Sequence, residues 1–136
     1  MSKTVKKKTN NHESVGIIQL PRKLVAPIGS FLSDQLARLE RRAKDVESDD
    51  PFRNVGRLNN NASPDTDAEE QFGHARISAV KGELERKIVQ TRKALSRIKI
   101  GKYGICESCG HMIDTDRLMV YPEATFCIHC EKKREK

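Results

Sequence analysis

Four cysteines carry the clearest chemistry in this sequence. They fall as Cys106-x2-Cys109-x17-Cys127-x2-Cys130. A two-residue gap lets two thiolates on one tight turn reach a single metal ion at about 2.3 Å. Gly110 follows the first pair and can take the positive φ that such a turn uses. The longer gap matches the separation between the halves of a four-Cys zinc site. Four thiolates close a tetrahedral shell and leave no position for water or substrate. The expected ion is therefore one structural Zn2+, and no hydrolytic chemistry is expected. Iron fits the same donor set. A redox dithiol would need a βαβ setting, which the sequence does not offer. His111 and His129 stand beside the cysteines, but four sulfurs already suffice, so both are read as exposed or hydrogen-bonded. His12 and His74 have no partner pattern.

The chain around these ligands is polar. Of 136 residues, 36% are hydrophobic and 33% charged, with no Trp. Such a composition cannot fill a thick core; it suits a helical hairpin with a narrow apolar seam, or a small module held by metal. No run approaches the ~18 apolar residues of a membrane span. The basic start is not followed by the apolar run of a secretory signal. A cytoplasmic setting is expected, where paired Cys-x-x-Cys units bind metal more often than they form disulfides.

The elements that must position the cysteines can be read from periodicity. Residues 1–14 are polar and unpatterned and read as a disordered basic arm; Pro21 and Pro27 argue against a long helix over 15–27. Ile28, Leu32, Leu36, Leu39, Ala43 and Val46 recur at steps of three and four, which predicts a helix over about 28–48. Pro51, Gly56 and the Asn run 59–61 mark a tip loop over 49–66. Ile77, Val80, Leu84, Ile88, Thr91, Leu95 and Ile98 predict a second, long helix over about 67–99, with Phe72 and Ala75 extending its stripe. Asp65, Thr66 or Asp67 is its expected N-cap, and Gly101 its stop. Two matched stripes joined by one loop make an antiparallel coiled-coil hairpin. The fold class expected is mostly α: this hairpin over 15–100, including the N-terminal segment, with a four-Cys zinc-finger module and a short C-terminal helix over 101–136. Tyr103, Ile105, Ile113, Leu118, Val120 and Phe126 are the expected miniature core of the finger.

Charge is unevenly placed within a net +7. Residues 1–30 carry net +5, 45–70 net −6 and 71–100 net +6, while the finger has six charges of each sign. The basic excess points to a polyanion, or to a complex that contains one.

Tyr103-Gly-Ile-Cys-Glu-Ser-Cys-Gly110, then Asp116-Arg-Leu118, Pro122, Ala124 and Cys127-Ile-His-Cys130, resemble the DksA/TraR family. The resemblance spans about residues 28–133 and is most specific over 99–130. It implies a monomeric regulator that binds RNA polymerase directly. The hairpin would enter the secondary channel and modulate initiation, with guanosine tetraphosphate as a co-regulator and no membrane association. The family's tip pattern is Asp-x-x-Asp-x-Ala. Here the tip reads Ser63-Pro-Asp-Thr-Asp-Ala68, so Ala68 matches while Ser63 and Thr66 occupy the two Asp positions. Asp65, Asp67 and Ala68 are the candidate polymerase contacts. Asp65 and Asp67, with Glu69 and Glu70, also have a simpler reading, as complements to a helix dipole. Arg76, Lys81, Arg86, Lys87, Arg92, Lys93, Arg97 and Lys99 are either a solvated helix face or a contact surface. Lys102, Lys132 and Lys133 are likewise solvated or offset the charge of the metal site.

The competing function is a zinc-finger nucleic-acid-binding protein that uses the Lys6-Lys7-Lys8 arm and the finger. The charge-neutral finger argues against direct DNA contact there. No phosphate loop, nucleophile constellation or open metal shell suggests an enzyme.

Overall fold

The computed structural model describes residues 20–50 and 64–136. The expected arm over 1–14 and most of the tip loop lie outside the described residues. Four helices follow one another: α1 Arg22–Ser48, α2 Pro64–Lys99, α3 Thr115–Val120 and α4 Ile128–Arg134. Among the described residues there is no sheet, only an isolated bridge between Ile105 and Met112. The architecture is mostly α, a helical hairpin with the four-Cys module at its base.

α1 begins six residues before the expected start and runs through Pro27. Pro21 is its N-cap, and its carbonyl accepts from the N–H groups of Leu24 at 2.9 Å and Val25 at 3.2 Å. Pro27 cannot donate to the preceding turn, which weakens the helix locally. Packing outweighs that loss: Val25 is buried and Ile28 packs on the same core. The expectation from Pro27 alone was wrong because local propensity yields to tertiary contacts.

α2 starts at Pro64, three residues earlier than expected. Proline suits the first helical position, where its missing N–H has no helical partner anyway. Asp65 and Asp67 therefore lie inside the first turn and not at the cap. The far end closes on Gly101, whose φ is 75°. Its N–H bonds the Ile98 carbonyl at 3.2 Å, and that of Lys102 bonds the Arg97 carbonyl at 2.9 Å. These two bonds form the reversed turn that ends helices at a left-handed glycine.

The helices are antiparallel, as their cross-links show. Glu40 pairs with Arg92 at 2.6 Å, Glu47 with Lys81 at 3.7 Å and Asp50 with His74 at 3.1 Å. By this register the first ten residues of α2 project beyond the end of α1. That explains Phe72, which is 78% exposed and not part of the seam as expected; Ala75 is exposed too. From Ile77 to Ile98 the expected stripe faces α1, with Leu84, Ile88 and Thr91 buried and Val80 exposed. The buried cluster sits at the base, where Val25, Leu32 and Ala94 of the hairpin meet Tyr103, Cys106, Ile113, Leu118 and Ala124 of the finger. Val120, expected in that core, is 71% exposed at the end of α3.

Candidate metal centre

Two short turns bring the cysteines together. In the first, the Cys106 N–H bonds the His111 carbonyl at 2.8 Å, and the Gly110 N–H bonds the Cys106 carbonyl at 3.1 Å. Gly110 has a φ of 72°, so the turn uses the conformation that only glycine takes without strain. The Ile113 N–H closes the loop on Gly104 O at 2.7 Å. In the second turn Cys127 is the N-cap of α4, and Cys130 lies in the first turn of that helix. The Cys127 N–H donates to the Cys106 sulfur at 3.3 Å, and the Glu107 N–H donates to Thr125 O at 2.9 Å.

All four Sγ atoms lie within 4.8 Å of one another. The Cys109 and Cys127 sulfurs are 3.8 Å apart. That equals the edge of a tetrahedron with metal–sulfur bonds of about 2.3 Å. The donor set, its count and its spacing therefore fit one structural zinc ion. Cys106 is buried, Cys127 and Cys130 are half-buried, and Cys109 is exposed. Burial pushes the Cys106 thiol up, but donors around the sulfur from Cys109, Cys127 and Ser108 outweigh it and bring it down to about 6. At Cys130 a hydrogen bond from Ser108 lowers the value, yet the crowding thiols of Cys127, Cys109 and Cys106 win and push it up to about 11. The Cys106 thiolate is thus favoured by the protein alone, whereas Cys130 ionises readily only beside a cation. His111 and His129 are exposed and outside the sulfur cluster.

Tyr103 anchors the finger. It is 4% exposed and its hydroxyl donates to Pro122 O at 2.8 Å. Burial, then the charge of Glu123, pushes its pKa from 10.0 to about 12. A group raised in this way gives stability that is full below its unfolded pKa and is lost as pH rises through the folded one. Tyr103→Phe should cost about 1 kcal/mol near neutrality, since a carbonyl loses its partner. It should also remove part of the wild-type decline between pH 10 and about 12. Urea titrations near neutrality and at the two ends of that range measure both effects.

The finger is tied to α2 by side chains of that helix, among them two of the cations read as a solvated face or a contact surface. Arg97 donates to Ile105 O at 2.7 Å and lies 3.5 Å from the Glu107 carboxylate; its side chain is only 15% exposed. Lys93 reaches the same carboxylate at 3.4 Å. Gln90 donates to Glu123 O at 3.0 Å and to Thr125 Oγ1 at 3.1 Å. The Arg134 guanidinium lies 4.2 Å from the Phe126 ring centre, and Arg117 pairs with Glu131. Of the eight α2 cations considered as a contact face, Lys81, Arg86, Arg92, Lys93 and Arg97 each have a carboxylate partner. Lys93 and Arg97 share Glu107, so four carboxylates offset half of that face's charge within the chain, which favours the solvated or structural reading. Lys102, Lys132 and Lys133 are exposed. Asp65 and Asp67 in the first turn of α2, and Ala68 just after it, are exposed, about 50 Å of helix from the finger. The structure does not bring them to the metal site. The signal for Gln90 and Arg97 was present in their seven-residue spacing around Ala94, beside the apolar seam.

A long helical hairpin with a four-Cys module at its base defines a class of zinc-finger protein. Residues 101–136 match the prokaryotic dksA/traR C4-type zinc finger family. A solved structure of transcription factor DksA2 from Pseudomonas aeruginosa superposes with a TM-score of 0.64 at 21% identity, covering 85% of this chain and 86% of that one. The RNA polymerase binding protein and transcriptional regulator Dks from Chlamydia trachomatis L2 (LGV434) gives 0.54 at 20% identity, covering 85% and 92%. At these identities the likeness shows the fold. A protein of Aquifex aeolicus (strain VF5), described as uncharacterized, is 42% identical over 43 residues, which are 32% of this chain and 30% of that relative's length. The finger belongs to the DksA/TraR family, and the hairpin that carries it has the DksA fold. None of the helices among the described residues is long and apolar enough to cross a membrane.

Proposed function

We propose that this chain is a cytoplasmic, non-enzymatic regulator of transcription that binds RNA polymerase directly and places its hairpin tip in the secondary channel. The observation that carries this reading is the combination of a DksA/TraR finger with a projecting α2 tip. Asp65 and Asp67 lie in the exposed first turn of that tip, far from the zinc foot. Carboxylates at the end of a rod suit a basic channel wall or the surroundings of a catalytic metal ion. The Chlamydia trachomatis protein of the same fold is an RNA polymerase binding protein.

Binding of labelled, zinc-loaded protein to core polymerase from the same source tests the reading, with double-stranded DNA as the parallel ligand. Saturable polymerase binding is expected, weakened on the order of tenfold in an Asp65→Asn, Asp67→Asn double variant. Guanosine tetraphosphate added to the complex tests the co-regulator that the resemblance implies. No polymerase binding, with salt-sensitive binding to DNA, would overturn the proposal and move the function to the basic arm and finger.

A further inference from the structure

We propose that Gln90 and Arg97 are positioning residues for the zinc site, holding the two cysteine-bearing turns together from one face of α2. The two residues are seven apart, about two helical turns, so they share a face. Ala94 lies between them and is 1% exposed. Its small side chain lets the finger backbone approach the helix closely.

Each residue grips a different half of the site. Arg97 donates to Ile105 O at 2.7 Å and faces the Glu107 carboxylate at 3.5 Å. Those two residues flank Cys106 on either side. Gln90 donates to Glu123 O and to Thr125 Oγ1, at 3.0 and 3.1 Å. Thr125 is 1% exposed and stands two residues before Cys127. The Glu107 N–H on Thr125 O, at 2.9 Å, then joins the two halves directly. One helix face thus sets the separation of Cys106 and Cys127 in the folded finger. Groups that orient ligands in this way reduce what the metal must order on binding. Their loss commonly lowers metal affinity by about 10- to 100-fold. The role belongs to the zinc site and holds whether or not the tip enters a polymerase.

The test uses the full chain and reads zinc affinity by competition with a chromophoric chelator. The Co2+-substituted spectrum reports tetrahedral sulfur ligation, and far-UV circular dichroism reports the helices. Gln90→Ala and Arg97→Ala should each weaken zinc binding by about tenfold while the helical signal persists. Arg97→Lys, which keeps a cationic donor, should fall between Arg97→Ala and the parent. Glu40→Ala breaks the ion pair to Arg92 without touching the finger, and should leave zinc affinity unchanged. Parent-like affinity in both alanine variants would overturn the proposal. So would an equal loss in Glu40→Ala, which would mark a general effect of stability. If Arg97→Ala does not fold, Gln90→Ala and Arg97→Lys decide the matter, and parent-like affinity in both overturns it.

Discussion

Chelating the zinc should unfold the finger and free the base of the hairpin, and this is the largest effect expected from any single change. Beyond its ties to the hairpin, the finger has little of its own to hold it. Its helices are 6 and 7 residues long, well below the length at which an isolated helix is stable. Its core consists of a few side chains, one of them Cys106 itself. Apparent binding energies of structural zinc sites run to about 10–16 kcal/mol, which makes metal binding and folding one equilibrium. Cys106→Ser should act in the same direction, because it removes the buried ligand around which both turns close. The expected signs are loss of the near-UV signal from buried Tyr103, rapid hydrogen exchange over 103–127 and net proton uptake as the thiols are released. Acidification should release zinc in the same sense, because protons compete for the ligands. Retained exchange protection over the finger after complete zinc removal would show that the hairpin alone keeps it folded.

The metal site was legible in the sequence because its chemistry is local. Cysteine type, two-residue gaps and Gly110 mark the ligands and shape each turn by themselves, although the separation of the two turns also depends on α2. The seam was legible for a related reason: Leu32, Leu36, Leu39, Leu84, Ile88 and Thr91 follow the period of the helix and need no knowledge of the partner. What periodicity could not supply was where the partner stops. Phe72 continues the apolar spacing of α2, yet α1 ends before reaching it. Val120 looks like core by type and is 71% exposed, and its neighbours Met119 and Tyr121 at the end of α3 are exposed too. Pro27 looked like a boundary, and packing of Val25 and Ile28 on the finger carried the helix past it. Arg97 stands among cations that read as either a solvated face or a contact surface, since nothing in a list of charges shows that Ile105 and Glu107 return to it. These misreadings share one cause: they concern contacts between segments far apart in the chain, where residue type and spacing are silent. The acidic tip differs from them. Its spacing departs from the family pattern, Asp65, Asp67 and Ala68 are exposed, and the role proposed for them depends on a partner surface that residue type and spacing do not describe.

The second large effect should come from Leu32→Ala. Leu32 has no exposed surface and belongs to the cluster in which α1, α2 and the finger meet. Truncating a fully buried leucine removes its transfer energy and leaves a cavity, at a cost of about 2–5 kcal/mol. That is a large share of the about 5–15 kcal/mol that holds a typical domain together. The contrast is with the charged links along the same hairpin. The Glu40–Arg92 pair is short but 40–60% exposed, and such pairs contribute about 0.2–1 kcal/mol. In urea titrations of the zinc-loaded protein, Leu32→Ala should lower the midpoint several times more than Glu40→Ala, with the slope unchanged. Equal shifts for the two variants would mean that charge pairing holds the hairpin. A large shift for Leu32→Ala alone would mean that the narrow seam does, and that the exposed charges mainly keep the rod soluble. In the second case the α2 tip can tolerate substitution at Asp65 and Asp67 without loss of fold, because it projects beyond α1 and far from the Leu32 cluster. Any change in partner binding by those variants can then be assigned to the tip itself.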